Sequence, residues 1–544
     1  MQQLCLLIAS LLFSFAWLSP FHTYPWVTFS SELASFAAGL VLLFPYFNKN
    51  LQIAKAQLYL FPVVLIPVLQ WMCGLVMDFS VAFLTSIYLF MFWLMIVVGF
   101  NLSLDTIQRE KIMQGMSYLF LGIALVTSLM AVMQWLDINV YGVMQLKGNR
   151  PYANFGQPNN MATFLIIGLL GALYLYEKRK VSVVWLIPVS VLLLFTITLS
   201  QSRTSWIVCL FIAVYWIYKQ YQQQPRFTFL QLLCWCIGFF AIAAYGVSAF
   251  THAIELSGST NIVEGATIVE RASSGHERIG MWIQILHAIA EQPWFGYGWN
   301  QTSIAVIDSI HFNTVHVWFN SAHNVLLDLL IWNGIPLALL IIGYVVVWFF
   351  WLNKNAKETT SIIAILMISA ILIHAMLEFP QRYAYFLLPM GFLLGLIQAQ
   401  TPHLKGFMIH RSVIRCGWLI AIILMGLIWR DYRLFQENSL LIFKQKSPQA
   451  EILGSSKILI LTQFQKRLDW IALKPTTRFT DTELNALDEM VKNKATPYNL
   501  KKYAQVLAYN QKFDAARQQL FILEQLHNQA FTLEDIIALN QKAQ

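Results

Sequence analysis

The run SVAFLTSIYLFMFWLMIVVGF, residues 80–100, contains no charged side chain. At about 1.5 Å of rise per residue, a helix of this length covers the ~30 Å hydrocarbon core of a bilayer. Comparable runs recur at roughly 2–19, 31–47, 57–76, 116–135, 160–176, 181–199, 204–218, 228–249, 323–351, 361–379, 384–398 and 413–429. The pattern predicts an all-α, polytopic transmembrane helix bundle of about 13 spans. The first 19 residues lack a basic leader and a small-residue cleavage site, so they read as a retained first span.

Composition agrees. Of 544 residues 58% are hydrophobic and only 12% charged, with a mean hydropathy of +0.57. Soluble domains carry about 25% charged residues, so a soluble enzyme, a secreted disulfide scaffold and a disordered chain are excluded. Charge is concentrated at the end. Residues 431–544 hold 15 Lys/Arg and 12 Asp/Glu, 27 of the chain's 63 charges. The reading is therefore a membrane domain over 1–430, with a large loop at 250–322, followed by a soluble helical domain over 431–544. Within that tail, Tyr498–Leu526 has helical periodicity broken at Asn510-Gln511, as in one hairpin of a tetratricopeptide-type pair or a generic helical bundle. The six cysteines fall in or beside apolar runs and read as small buried apolar residues rather than ligands or disulfides.

Alternate short loops differ in charge. One set carries thirteen cations, among them Arg109, Lys111, Lys178, Arg179, Lys180, Lys405 and Arg411. The opposite set carries only Lys147, Arg150, Arg203 and Arg382. The positive-inside bias puts the first set and the N-terminus in the cytoplasm of a bacterial inner membrane, and the 250–322 loop and the tail in the periplasm. The net charge of +9 thus reports orientation, not a nucleic-acid partner. The few cations on the poor side need another reason to be there, and binding an anion is the obvious one.

Five polar clusters fall on that side: PFHTYPWVTFSSE (20–32), GNRPYANFGQPNNMATF (148–164), SQSRTSW (200–206), the long loop from SGHERIGMW (274–282) through PWFGYGW (293–299) to FNSAHNVLLDLL (319–330), and LEFPQRYAYFLLP (377–389). Arg203 sits at the mouth of a span, either functional or snorkelling to the headgroups. Arg278 shares a helix face with Met281, Trp282 and Ile285. Two guanidiniums converging would form a bidentate clamp suited to pyrophosphate. His323 opens a span; its imidazole could take a proton from a hydroxyl, or serve only as a polar cap. Gln157 and Asn159 could bind sugar hydroxyls or phosphate oxygens, against helix capping by Asn159 or Asn160. Tyr383 and Arg382 form an outer turn where an interfacial aromatic anchor is the competing role. His22, within the first cluster, and Asn324, next to His323, complete the substrate-binding candidates. The 311/316/323 histidine spacing fits no paired zinc motif and no Cys joins it, so no metal is expected; with no Walker motif and no Asp-x-Asp pair, no nucleotide cofactor is expected either. Gly296-Tyr297-Gly298 is a turn, since no Lys-Ser/Thr follows it.

FGQPNNMATF, SQSRTSW, ERIGMW with PWFGYGW, the His323-Asn324 helix start and EFPQRYAYFLLP together resemble the bacterial PglL-type protein O-oligosaccharyltransferases, relatives of the O-antigen ligase WaaL and the polymerase Wzy. The resemblance covers roughly residues 20–400; Asn160 stands where that pattern has His. It implies a metal-independent glycosyltransferase that moves a glycan from an undecaprenyl-pyrophosphate carrier to Ser or Thr of periplasmic or pilin proteins. It implies catalytic roles for His323, Arg203 and Arg278, a binding role for Gln157, and a Tyr at 383 or 385. An O-antigen ligase or polymerase, with a sugar acceptor, would use the same chemistry. A lipid or polysaccharide transporter would need charge at mid-membrane depth, which the spans lack.

Overall fold

Apolar runs without internal caps have one low-energy solution in lipid, the helix, because it satisfies every backbone N–H and C=O within its own segment. The computed structural model follows that rule over its described residues, which are 1–223, 225–256, 276–312, 315–401, 406–443 and 457–543. Each of the thirteen expected segments overlaps a helix. Among the described residues eight helices are long and apolar enough to cross a bilayer, and Gln2–Leu18, Val183–Leu199, Thr359–Ala375 and Ala384–Gln398 are shorter apolar helices. Among the described residues the strand pairing is a single antiparallel ribbon, Leu51–Ala54 with Gly406–Ile409, in the register Leu51↔Ile409 to Ala54↔Gly406. Residues 257–275 and 313–314 of the long loop, with Lys405, lie outside the described residues.

The chain forms two compact units, one of residues 1–61, 90–272 and 346–421, the other of 62–89, 273–345 and 422–544. In the first, the helix Thr106–Trp135 packs along Pro158–Glu177 through small residues. A Cβ at Gly171 would stand 2.9 Å from the Ser117 carbonyl oxygen, so only glycine permits this approach. Backbone contact of this kind is how apolar helices associate where lipid is as apolar as leucine. Asp105 caps Thr106–Trp135 by accepting the Gln108 N–H at 2.8 Å. Arg109, buried one turn on, pairs with Glu358 at 3.1 Å and donates to the Ser103 carbonyl. Of the cysteines, Cys5 and Cys209 are buried as expected, but Cys73, Cys234 and Cys416 are exposed on the protein surface. A thiol is apolar enough to face lipid, so burial in protein is not required.

The second unit joins the loop to the tail. Met281, Ile285, Trp299, Val306 and Trp332 share one hydrophobic core with Trp470, Leu484, Tyr503, Leu507 and Leu523. Loop and tail therefore lie on the same side of any membrane the chain crosses. The tail helices start at sequence-legible caps: Thr480 and Glu483 form a capping box, and Thr496 caps the helix Pro497–Tyr509, with Pro497 at its first position. Pro497–Tyr509 and Phe513–His527 form a helical hairpin that turns at Asn510-Gln511, as the periodicity predicted.

Carboxylates tie the tail down. The buried Asp431 Oδ2 accepts the N–H groups of Leu459, Ile460 and Leu461 at 3.0, 2.6 and 3.1 Å. Asp78 pairs with Lys466 at 2.8 Å and accepts from Thr462 Oγ1 at 2.9 Å. Burial alone would raise the Asp78 carboxyl, but Lys466 with the Ser80 and Thr462 hydroxyls holds it below the usual range. Asp431→Ala leaves three N–H groups without their acceptor, at about 1–3 kcal/mol for each that stays buried. The tail should then be cleaved at least ~10-fold faster in limited proteolysis, since 1.4 kcal/mol already shifts an opening equilibrium that far; an unchanged rate would contradict the anchoring role.

One expected span is interrupted. The helix Val325–Asn355 contains Gly334 at φ 72°, ψ 169°, with Pro336 just beyond. The freed backbone groups are taken up by the PWFGYGW stretch: Tyr297 N–H donates to the Ile331 carbonyl at 2.8 Å, Gly298 N–H to Trp332 at 3.1 Å, and Ile335 N–H to Pro293 at 2.7 Å. Gly296 and Gly298 both have positive φ, at 68° and 90°, the region glycine adopts without penalty. The motif read as a turn is thus a backbone patch that mends a broken helix.

Candidate functional site

In the first unit four of the five polar clusters meet through side chains far apart in sequence. Arg150 donates from Nε to the Ser200 carbonyl at 2.9 Å and from Nη2 to Asn159 Oδ1 at 3.1 Å. Asn159 Nδ2 donates onward to Glu378 Oε1 at 3.2 Å. Glu32 Oε2 accepts the Ala384 N–H at 2.7 Å, capping the helix that follows Tyr383. Asn160 Nδ2 reaches the Tyr385 hydroxyl at 3.4 Å, and the Tyr383 and Tyr385 rings stack 5.2 Å apart. Burial foremost, with Glu32 and Glu378 nearby, pushes the Tyr383 phenol up to about 12, so it is a neutral donor at physiological pH. His22 packs against Gly156, whose φ of +67° and lack of a Cβ leave room for the ring. Burial lowers the His22 pKa.

The candidates in this unit take specific places. Gln157 is the N-cap of Pro158–Glu177, its Oε1 accepting the Asn160 N–H at 2.8 Å. Capping thus falls to Gln157 rather than to Asn159 or Asn160, which are buried and turned to Glu378 and Tyr385. Arg382 lies over the Phe379 ring at 5.6 Å. Arg203 begins its helix exposed, three residues after the carbonyl that Arg150 holds. The polar residues beside it, Ser202, Thr204 and Ser205, are buried.

The second unit holds His323, Asn324 and Arg278. His323 occupies the left-handed region at φ 51°, a conformation that costs a non-glycine residue about 1–2 kcal/mol. It is held there by Asp328, wholly buried, whose carboxylate accepts from the Ala322 N–H at 2.8 Å, the Ser321 hydroxyl at 2.7 Å and the Thr302 hydroxyl at 3.4 Å. Ser321 Oγ in turn accepts the His323 N–H at 3.2 Å. Asn324 Oδ1 caps the helix beyond by accepting from Leu326 and Leu327 at 3.0 and 3.3 Å. The imidazole is thereby presented, half-buried, on a turn with little freedom.

Arg278 rides on the helix His276–Glu291, where Ile285 and Met281 are buried as its expected face requires. Trp282, one turn along, donates its indole N–H to the Ala322 carbonyl at 2.9 Å. Residues four apart on a helix lie one above the other, so Arg278 lies on the helix face that meets the His323 turn. The other two histidines of the 311/316/323 set are engaged elsewhere, His311 with Glu291 at 3.3 Å and His316 with the Gln525 carbonyl at 3.0 Å.

Sequence reasoning passed over Arg150, Glu32, Glu378 and Asp328 as site residues. Arg150 carried a signal, as one of four cations on the cation-poor side. The carboxylates carried none, because nothing local distinguishes a buried acid that organises a turn from a solvated one.

Comparison with known proteins follows the same lines. Residues 188–342 match the O-antigen ligase family, residues 362–535 the C-terminal family of virulence factor membrane-bound polymerases, and residues 151–176 the protein glycosylation ligase family. The class is therefore that of membrane-embedded glycan ligases and polymerases. A general O-oligosaccharyltransferase of Acinetobacter baylyi (strain ATCC 33305 / BD413 / ADP1) is 52% identical over 545 aligned positions, covering 100% of this chain and 96% of that protein. A ComP-specific O-oligosaccharyltransferase of the same strain is 27% identical over 81% of this chain and 80% of its own length. The chain belongs to the general O-oligosaccharyltransferase family. No solved structure matches it.

Proposed function

We propose that this protein transfers a glycan from an undecaprenyl-pyrophosphate carrier to Ser or Thr hydroxyls of periplasmic proteins, pilins among them. The full-length similarity to an O-oligosaccharyltransferase carries this reading. The chain would cross the inner membrane about 13 times, with the ligase domain over 1–430, and would present the 250–322 loop and the soluble helical, tetratricopeptide-like domain of 431–544 to the periplasm. The core shared by loop and tail supports a common side for both, and the cation-rich opposite loops support the periplasm as that side.

The chemistry assigned to the residues is direct displacement at the anomeric carbon, with inversion. His323 accepts the proton of the acceptor hydroxyl as that oxygen forms the new glycosidic bond, and the carrier pyrophosphate departs with the bonding pair. Arg203 and Arg278 bind the departing pyrophosphate, whose growing negative charge is stabilised most by donors already in place. The donor is activated when it arrives, so neither metal nor nucleotide is required. Gln157, Asn159, Arg382, Tyr383, His22 and Asn324 would hold glycan and acceptor.

The test is intact mass spectrometry of periplasmic proteins from a host supplying lipid-linked glycan, with and without this gene. Glycan mass on Ser/Thr peptides, only when the gene is present, is the expected result. Glycan appearing on lipid A–core or lengthened on its carrier would instead favour the ligase or polymerase reading, which the matches at 188–342 and 362–535 support. Within the assay, Arg203→Lys and Arg278→Lys should each lose at least ~10-fold in turnover, because lysine keeps the charge but loses the planar fork. Unchanged turnover in both would remove the arginine clamp.

A further inference from the structure

The first unit contains a cavity of about 280 Å3 between the helices Gln2–Leu18, Thr106–Trp135 and Ala384–Gln398. Its walls are apolar, with Phe13, Leu119 and Phe392 among them; Ser10 on the wall spends its hydroxyl on the Leu6 carbonyl at 2.8 Å, and the remaining polar lining, Gln3, Gln108 and Lys111, gathers at one end. The opposite end is closed by Trp17, whose indole donates to the Tyr385 carbonyl at 3.0 Å, just beneath the polar cluster described above. From Gln3 to Trp17 the helix rises ~21 Å, more than half the ~30 Å hydrocarbon thickness, so the cavity accepts an extended acyl chain.

Two residues show that this space is kept open and that its mouth is charged. Gly115 is exposed at the rim, and a Cβ placed there would meet no atom within 4 Å. No neighbour therefore demands glycine, although glycine costs a helix interior about 1 kcal/mol against alanine. Lys111 is the third of three consecutive charges: Arg109 pairs with Glu358 and Glu110 with Lys178 at 2.5 Å. Among the described residues Lys111 has neither an ion pair nor a hydrogen bond. It projects, exposed, at the charged end of an apolar slot.

We infer that this slot binds one acyl chain of an anionic phospholipid, with the headgroup phosphate held by Lys111 and the Gln3 and Gln108 amides. An apolar cavity of this size does not retain water, and lipid is the apolar solvent available to it. The headgroup lies at the end away from Tyr385, so this ligand is distinct from a glycan donor whose pyrophosphate meets the outer polar cluster. Chain occupancy backs Trp17 against the Tyr385 carbonyl and so braces the start of the helix that carries Tyr385. The inference stands independently of the proposed transfer reaction.

The test is native mass spectrometry of the purified full-length protein equilibrated with equal amounts of phosphatidylglycerol and phosphatidylcholine. The wild type should retain phosphatidylglycerol preferentially. Lys111→Gln, an exposed change that leaves packing intact, should cut that preference about fivefold, the factor one lysine contributes near an anionic headgroup. Gly115→Leu should reduce retention of both lipids while the melting temperature stays at or above that of wild type, because the side chain fills the slot. Equal retention of the two lipids by wild type, or an undiminished preference in Lys111→Gln, would overturn the site. Preferential retention of undecaprenyl phosphate over phosphatidylglycerol in a third arm would assign the slot to a donor tail and equally overturn it.

Discussion

His323→Ala should reduce glycan transfer by about 10²–10⁴-fold, the contribution of a positioned general base, while the protein still inserts and binds lipid-linked donor. The structural grounds are specific. His323 is the residue of its turn that takes the left-handed conformation, and the strain is sustained by a buried carboxylate, two hydroxyls and the Ala322 N–H. Strain of 1–2 kcal/mol persists only where surrounding structure over-determines it. A histidine serving merely as a polar cap would not need this support, and here the capping is done by Asn324. Purified variant, donor and acceptor peptide in vitro provide the measurement. Near-normal transfer by His323→Ala would remove the base role.

The second large effect is expected at Asp328, a positioning residue. Asp328→Ala withdraws the acceptor for the Ala322 N–H and for the Ser321 and Thr302 hydroxyls, all buried, at a cost of about 2–4 kcal/mol. It also releases His323 from its turn. Activity should fall by ~10²-fold or more, since displacement of a catalytic group by 1 Å carries that penalty. Loss of folding alone could mimic this result, and Asp328→Asn separates the two. The amide retains one carbonyl acceptor for the Ala322 N–H but cannot accept from Ser321 with its nitrogen. Asp328→Asn should therefore keep most of the stability and lose kcat with KM for the donor unchanged. Equal kcat in Asp328→Asn and wild type would show that the carboxylate does not position the base.

Both predictions depend on contacts that a linear reading could not supply. His323 was legible as a candidate because an imidazole opening an apolar run is conspicuous. Its backbone conformation was not, because the left-handed turn is imposed by a carboxylate five residues further along a helix and by a hydroxyl, Thr302, from a different element. Arg278 was legible through the periodicity of Met281, Trp282 and Ile285, and the structure supplies what the helix face meets. Gln157 shows the opposite outcome: a conspicuous residue whose visible task is to cap the helix carrying the less conspicuous Asn159 and Asn160. Hydropathy alone predicts one continuous span across Gly334, since it does not register which carbonyls lose their partners.

By itself the sequence determined the membrane character of the chain, the charge bias between its loops, the gathering of polar residues into five clusters and the helical hairpin of the tail. These are properties of local composition and period, and they add up residue by residue whatever the rest of the chain does. Only tertiary structure decided that Arg150, Asn159 and Glu378 form one hydrogen-bonded line, although Asn159 and Glu378 are 219 residues apart. The same holds for the common core that docks the tail on the loop and for the attachment of the tail to Asp78. A buried polar group must find its partner wherever packing brings one, and the identity of that partner is fixed by the whole fold rather than by its neighbours in sequence.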